Sequence, residues 1–249
     1  MKNPMAFAVK TFVLGHAISK SLTHPYEAVS IDGVWGLRDK ERSNPRKYRK
    51  EEWVGWDIEP SKLVRIATEN TRGWHFLGAM IPNSEDPDAV RDAYKELGYR
   101  LLSTEPLFVQ DLKRIPNKSS PAKISRMKSL EQSLAYAKEA RIKPLPNSVL
   151  QSDSTWRHYL ATLDEQIVGW VSSIQTSTGA TWCANFVVRE AYRRQGIGSA
   201  LLAQMLRDDR RQGVSHSILL SSHTGAHVYP KLGYQQIGTL LILAPKKRA

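Results

Sequence analysis

The stretch VVREAYRRQGIGSALLAQML, residues 187 to 206, constrains the fold more than any other part of the chain. An apolar run ends, two arginines follow, and Gly196 and Gly198 stand where an amphipathic helix is about to begin. Glycine costs a helix interior roughly 1 kcal/mol relative to alanine. The gain must therefore lie in the backbone. The first N–H groups of a helix have no intrahelical partner, and the helix dipole adds partial positive charge beside them. Without a Cβ at 196 and 198, a phosphate can approach those N–H groups, and Arg193 and Arg194 add full charges at the rim. A strand, a glycine turn and a helix N-terminus of this kind belong to an α/β fold and read as a cradle for a pyrophosphate. The Lys-Ser/Thr pair of a nucleoside-triphosphate loop is missing. So is the third glycine of a dinucleotide fingerprint, since Leu201 follows instead.

The 249-residue chain has room for one large or two small domains. No apolar run reaches the roughly 18 residues of a membrane span. The N-terminal stretch MKNPMAFAVKTFVLGHAISKS is interrupted by Lys10, His16 and Lys20, has no small-x-small cleavage site, and reads as a folded helix. Cys183 is the single cysteine, so neither an intrachain disulfide nor a cysteine-based zinc site can form, and no metal is expected. A reducing cytoplasm is the natural setting. The net charge of +12 suggests an anionic partner such as a phosphate ligand, an acidic substrate or nucleic acid.

Strands and helices alternate along the chain. Helices are expected at 5–20, 86–98, 129–141, 197–212 and 224–232. Strands are expected at 27–35, 52–57, 73–81, 99–109, 181–188, 216–222 and 234–244, with a hairpin over 157–175 turning near Asp164-Glu165. The segment KRIPNKSSPAK, 113–123, has the composition of a linker. Residues 38–50 hold seven basic and two acidic residues and read as a loop with a short helical turn. AYKELGY at 93–99 and VYPKLGY at 228–234 share Tyr-x-x-Leu-Gly-Tyr, which points to a duplicated unit.

Arg193-x-x-Gly196-x-Gly198, after an apolar strand and before an amphipathic helix, resembles motif A of the GNAT acyltransferase superfamily. AHVYPKLGY, with Ala226, Tyr229, Gly233 and Tyr234, resembles its motif B. The resemblance covers roughly 122–249. It implies an α/β fold with a mixed sheet and three segments: a degenerate GNAT-like domain over 1–112, a linker over 113–123, and an N-acetyltransferase domain over 124–249. It implies acetyl-CoA as acyl donor, with strand 181–188 and strand 216–222 splayed around the pantetheine arm. Backbone groups of Phe186, Val187 and Val188 would pair with that arm. Arg193, Arg194, Gln195, Gly196, Ile197, Gly198 and Ser199 would hold the pyrophosphate. Tyr229 matches the general acid that protonates the leaving thiolate, and Tyr234 is expected to be structural.

The strand of motif A carries no glutamate here, which leaves the base that deprotonates the amine open; His223 is the candidate. A nucleophilic Cys183 is the lesser reading, since a small buried thiol is ordinary core. Counting back from Tyr94 by the Gly196–Tyr229 step reaches Ser61, with no glycine pair, so the first half lacks a phosphate cradle. It would wall the acceptor pocket, with Trp35, Trp53, Trp56 and Trp74 as candidate contacts. The favoured acceptor is a primary amine of a small molecule. A protein lysine or N-terminus, an aminoacyl-tRNA reached through the basic 38–50 segment, and a non-catalytic acyl-CoA-binding module are the alternatives.

Overall fold

In the computed structural model, which describes residues 3–246, the chain divides into two compact units. Of the described residues, the first takes in 3–108, 220–226 and 236–246; the second takes in Val109–Leu219 and His227–Gln235.

In the first unit, helix α1 (Pro4–Lys20) starts where the Asn3 side chain accepts from the Ala6 N–H and Pro4 fixes the first turn. It buries Met5, Val9, Phe12 and Val13. Strands β1 (Tyr26–Ile31) and β2 (Val34–Asp39) form a hairpin across Asp32 and Gly33, at φ +47° and +88°. The single strand expected over 27–35 is thus two. Asp-Gly is the turn that supplies two positive φ angles in a row, and the apolar residues on either side hid it. Strand β3 (Glu51–Trp56) follows, then helix α2 (Pro60–Asn70), which the sequence reading missed, then strand β4 (His75–Pro82). Helix α3 (Pro87–Glu96) begins at Asp86, whose side chain accepts from the Asp88 N–H. Strand β5 (Tyr99–Gln110) completes this stretch.

β3 and β4 run parallel and pair along their whole length, from Glu51 with His75 to Trp56 with Met80. The last strand of the chain, Gln235–Pro245 (β11), lies antiparallel on β4. The order in this unit is β1-β2-β3-β4-β11-β5. Its core joins Trp53, Leu63, Ile66, Leu77, Tyr94, Leu241 and Leu243. Trp53 is fully buried there and so is no ligand contact, whereas Trp74 is exposed, with the Lys50 ammonium over its ring.

In the second unit, strand β6 (Lys123–Arg126) leads to helix α4 (Leu130–Ala140), which opens on a capping box between Ser129 and Gln132, and to a short helix α5 (Asn147–Leu150). Strands β7 (Trp156–Leu163) and β8 (Gln166–Gln175) form the expected hairpin, with Asp164 and Glu165 at positive φ. Strand β9 (Thr181–Val188), helix α6 (Ile197–Arg211) and strand β10 (Ser217–Leu220) follow, in the order β10-β9-β8-β7-β6. The helix expected over 224–232 is instead two 3-10 turns, Ala226–Val228 and Pro230–Leu232. Pro230 cannot donate to a continuing helix.

Three antiparallel strands, a helix and a parallel strand therefore occur twice, as β1-β2-β3-α2-β4 and as β7-β8-β9-α6-β10. Among the described residues, no helix is long and apolar enough to cross a membrane.

Candidate active site

The site in the second unit begins with an interruption in β9. Trp170 of β8 faces Val187 and Ser172 faces Ala184, so Asn185 and Phe186 together oppose a single residue. This is a β-bulge, and Asn185 takes φ +53° within it. Gly169 on β8 admits the bulged strand, because a Cβ there would stand 2.9 Å from the Val187 carbonyl oxygen. On its other edge, β9 pairs with β10 only at Thr181 with Ser217 and at Trp182 with Ile218. Beyond Trp182 that edge has no strand partner in β10. The matching parallel pair of the first unit, β3 with β4, has no such gap.

The turn from β9 to α6 leaves its N–H groups open. Arg194 sits at φ +61° and Gly196 at φ +80°. Gly196 is the N-cap, with no side-chain cap of its own. Among the described residues, no N–H from Arg194 to Ser199 donates to a protein acceptor. Arg193 to Gly196 are exposed, Ile197 is buried, and Gly198 and Ser199 are half-buried. The two glycines have different causes. Gly196 is required by its positive φ. Gly198 is required by packing, since a Cβ there would meet Phe186 Cζ at 2.9 Å and Val188 Cγ2 at 3.3 Å. The sequence reading gave both the same task of admitting a phosphate, and for Gly198 the structure shows helix-on-strand contact. Arg193 is also less free than expected: its Nε donates to the Val188 carbonyl at 3.0 Å.

α6 is anchored at its far end. Arg157 of β7 pairs with Asp209 at 2.9 Å, and Ser173 and Thr181 donate to the same carboxylate at 2.7 and 2.9 Å. All are buried. Burial pushes the Asp209 carboxyl up, while Arg157 and the two hydroxyls act against that rise. Breaking such a buried pair leaves an uncompensated charge, so α6 is held rigidly on β7, β8 and β9. Sequence reasoning missed this anchor, because its members are 36 and more residues from Asp209 in two of three cases and appear polar at random.

Tyr229 is 5% exposed, its ring edge-on to Phe186 at 6.2 Å and to Tyr234 at 5.6 Å. Tyr234 is buried, and its hydroxyl bonds Ser217 at 2.8 Å, so it is part of the core. The turn carrying Tyr229 closes at Gly233, φ +84°, and Gln110 holds it by donating to the Leu232 carbonyl. Cys183 is buried and its thiol is pushed up by burial, which removes it as a nucleophile. The structure thus brings Phe186, Val188, the 193–199 turn and Tyr229 into one unit. His223 belongs to the other unit, on an exposed loop, with Nε2 against the Thr104 hydroxyl at 2.6 Å.

Comparison with known proteins gives the following. Residues 154–236 match the family model of the acetyltransferase (GNAT) domain. Among solved structures, a GCN5-related N-acetyltransferase from Kribbella flavida is 18% identical, with a TM-score of 0.65 over 94% of this chain and 95% of that one. One from Sphaerobacter thermophilus is 20% identical, with a TM-score of 0.59 over 87% and 79%. A tandem GNAT protein from the clavulanic acid biosynthesis pathway is 13% identical, with a TM-score of 0.51 over 99% and 97%. These likenesses show a shared fold. No curated protein matches the sequence.

Proposed function

From a chain that belongs to the GNAT acetyltransferase superfamily through its C-terminal half, we propose an enzyme that transfers the acetyl group of acetyl-CoA to a primary amine of a small molecule, by direct attack in a ternary complex. The observation that carries this reading is the pair of open features in the second unit: a β9 edge left unpaired by β10 after Trp182, and the unbonded N–H groups from Arg194 to Ser199. Backbone of Phe186, Val187 and Val188 would bind the pantetheine amides along that edge. The turn of Arg193, Arg194, Gln195, Gly196, Ile197, Gly198 and Ser199 would hold the pyrophosphate. We assign the catalytic domain to 124–249, the linker to 113–123 and a degenerate GNAT-like domain to 1–112, with strand β11 of the last segment pairing on β4 of the first. That assignment is supported by the closed β3–β4 pair and by the absence of a glycine pair before α2.

In the reaction the neutral amine attacks the thioester carbonyl. The C–N bond forms, the C–S bond breaks, and a backbone N–H near Val187 or Val188 steadies the oxyanion. A phenol ordinarily ionises near pH 10 and a thiol near 8.5, so a tyrosine can protonate the departing thiolate. Tyr229 takes that role. The candidate base for the proton lost by the amine is His223, whose Nε2 lies 2.6 Å from the Thr104 hydroxyl.

Of the basic segment 38–50, the one sequence hint of an RNA acceptor, Arg42 and Arg49 bind Asp39 internally. That favours the small-molecule reading. The test is CoA release against a panel of amines, with Tyr229→Phe alongside. The variant should lower kcat by at least about a hundredfold, the lower end of the range for a positioned acid, and leave acetyl-CoA affinity unchanged. Acetyl-CoA binding with no turnover on any amine would favour the non-catalytic binding module.

A further inference from the structure

The segment after β5 does not behave as a free tether. Residues 113–122 have no regular structure, yet the Ser119 carbonyl lies 3.3 Å from where a Cβ of Gly196 would stand. From there the segment runs beside α6, and the two border an open cleft of about 160 Å³, lined by Lys118, Ser120, Ala122 and Ile124 on one wall and by Ala200, Gln204 and Arg207 on the other. Gly196, Ala200, Gln204 and Arg207 share one face of the helix, so the cleft starts about one turn, roughly 5.4 Å, from the open N–H groups.

Gln204 is satisfied within α6, donating to Asp208 at 3.1 Å and accepting from Arg207 at 3.0 Å, whereas the other polar groups keep donors to spare. Lys118 makes no hydrogen bond or ion pair among the described residues. Arg207 gives one guanidinium nitrogen to Gln204 at 3.0 Å, and its others have no partner among the described residues. The Ser120 oxygen accepts from the Ala122 N–H at 3.0 Å, which leaves its own proton to donate. No carboxylate lines the cleft. Neighbouring Asp208 is paired with Arg211 at 2.8 Å.

We propose that this cleft is a second anion site that binds a phosphomonoester, with Lys118 and Arg207 as its charged walls and Ser120 as a third donor. A phosphomonoester carries about −1.5 to −2 charge at neutral pH and matches the fork of a guanidinium. The cleft is open and mostly polar, so such a group can enter it with part of its hydration shell. Two sources have this chemistry. One is the 3′-phosphate of the acyl-CoA donor, which rests on the function proposed above. The other is a free phosphate.

The experiment has two arms, each run on the full chain and on Lys118→Ala and Arg207→Gln. The first compares calorimetric binding of acetyl-CoA and of 3′-dephospho-acetyl-CoA. The second titrates inorganic phosphate alone. If the donor's phosphate is the ligand, the wild-type protein prefers acetyl-CoA by about tenfold, as a charge-assisted hydrogen bond would give. The variants lose that preference while binding the dephospho form unchanged. If free phosphate is the ligand, its binding is present in the wild type and lost in both variants. Phosphate binding of this kind with no acetyl-CoA binding would keep the site and overturn the acyl-CoA reading. Variants that match the wild type in both arms overturn the site.

Discussion

At Gly196 the backbone turns through φ +80°, and at Gly198 a ring carbon of Phe186 occupies the space a Cβ would need. The two positions should respond differently to alanine. Gly196→Ala meets the left-handed penalty, roughly 1–2 kcal/mol for a residue with a Cβ. Gly198→Ala overpacks the contact with Phe186 and Val188 and should cost about 1–3 kcal/mol. It should also displace the Phe186 ring from Tyr229, a change visible in aromatic NMR shifts that Gly196→Ala would leave alone. Urea denaturation of both variants measures the energies. The positions of the glycines were legible in the sequence. Their separate causes were not, because what a missing Cβ faces depends on strand β9, and the bulge at Asn185 has no sequence signature of its own.

Among the elements, the hairpin between β2 and β3 explains the basic segment. Asp39 is fully buried and receives Arg42 and Arg49, the latter also donating to the Lys20 and His24 carbonyls. Arg72 reaches Glu51 and stacks over Tyr48. These arginines fold the segment onto its own unit. Asp39→Asn should therefore cost about 3–5 kcal/mol, the range for breaking a buried ion pair. Loss of RNA affinity on changing Arg49 would report unfolding, whereas Arg46 and Lys47 test RNA directly.

The pH dependence follows the same groups. Burial pushes the Asp39 carboxyl up, but the hydrogen bonds from Arg42 and Arg49 outweigh it and hold it well below the usual carboxylate range. Burial likewise raises Glu52, and His16 and Lys20 hold it down to about 2. A depressed carboxyl contributes stability above its unfolded value, near pH 4, that is lost as pH falls through the folded one. The melting temperature should drop between about pH 4 and 2, and Asp39→Asn should flatten that drop. Turn chemistry made the Asp164-Glu165 hairpin readable in advance. The stretch expected as a helix over 224–232 is two 3-10 turns, with Pro230 at the start of the second.

For the whole molecule, the order of elements repeats, yet the last strand does not stay with the segment that precedes it. β11 pairs with β4 and places Leu241 and Leu243 in the core of the first unit. Strand pairing across more than 150 residues leaves no local trace, so a boundary drawn from composition at 113–123 could not anticipate it. A fragment of residues 1–112 would expose the β4 edge and lack two fully buried leucines, each worth about 1.5–3 kcal/mol of burial. It should fail to give a cooperative thermal transition, and a fragment that melts like the intact chain would contradict the grouping.

The central claim, that the turn before α6 and the open edge of β9 receive acetyl-CoA, is tested most directly by calorimetry on the wild type and on Ser199→Glu. A carboxylate in the first turn favours the helix through its dipole, so this variant should keep its fold and melting temperature while placing a negative charge in the cradle. The account predicts saturable acetyl-CoA binding by the wild type and its loss in Ser199→Glu. A wild-type protein that gives no binding heat, or a folded Ser199→Glu that binds acetyl-CoA as tightly as the wild type, would contradict it.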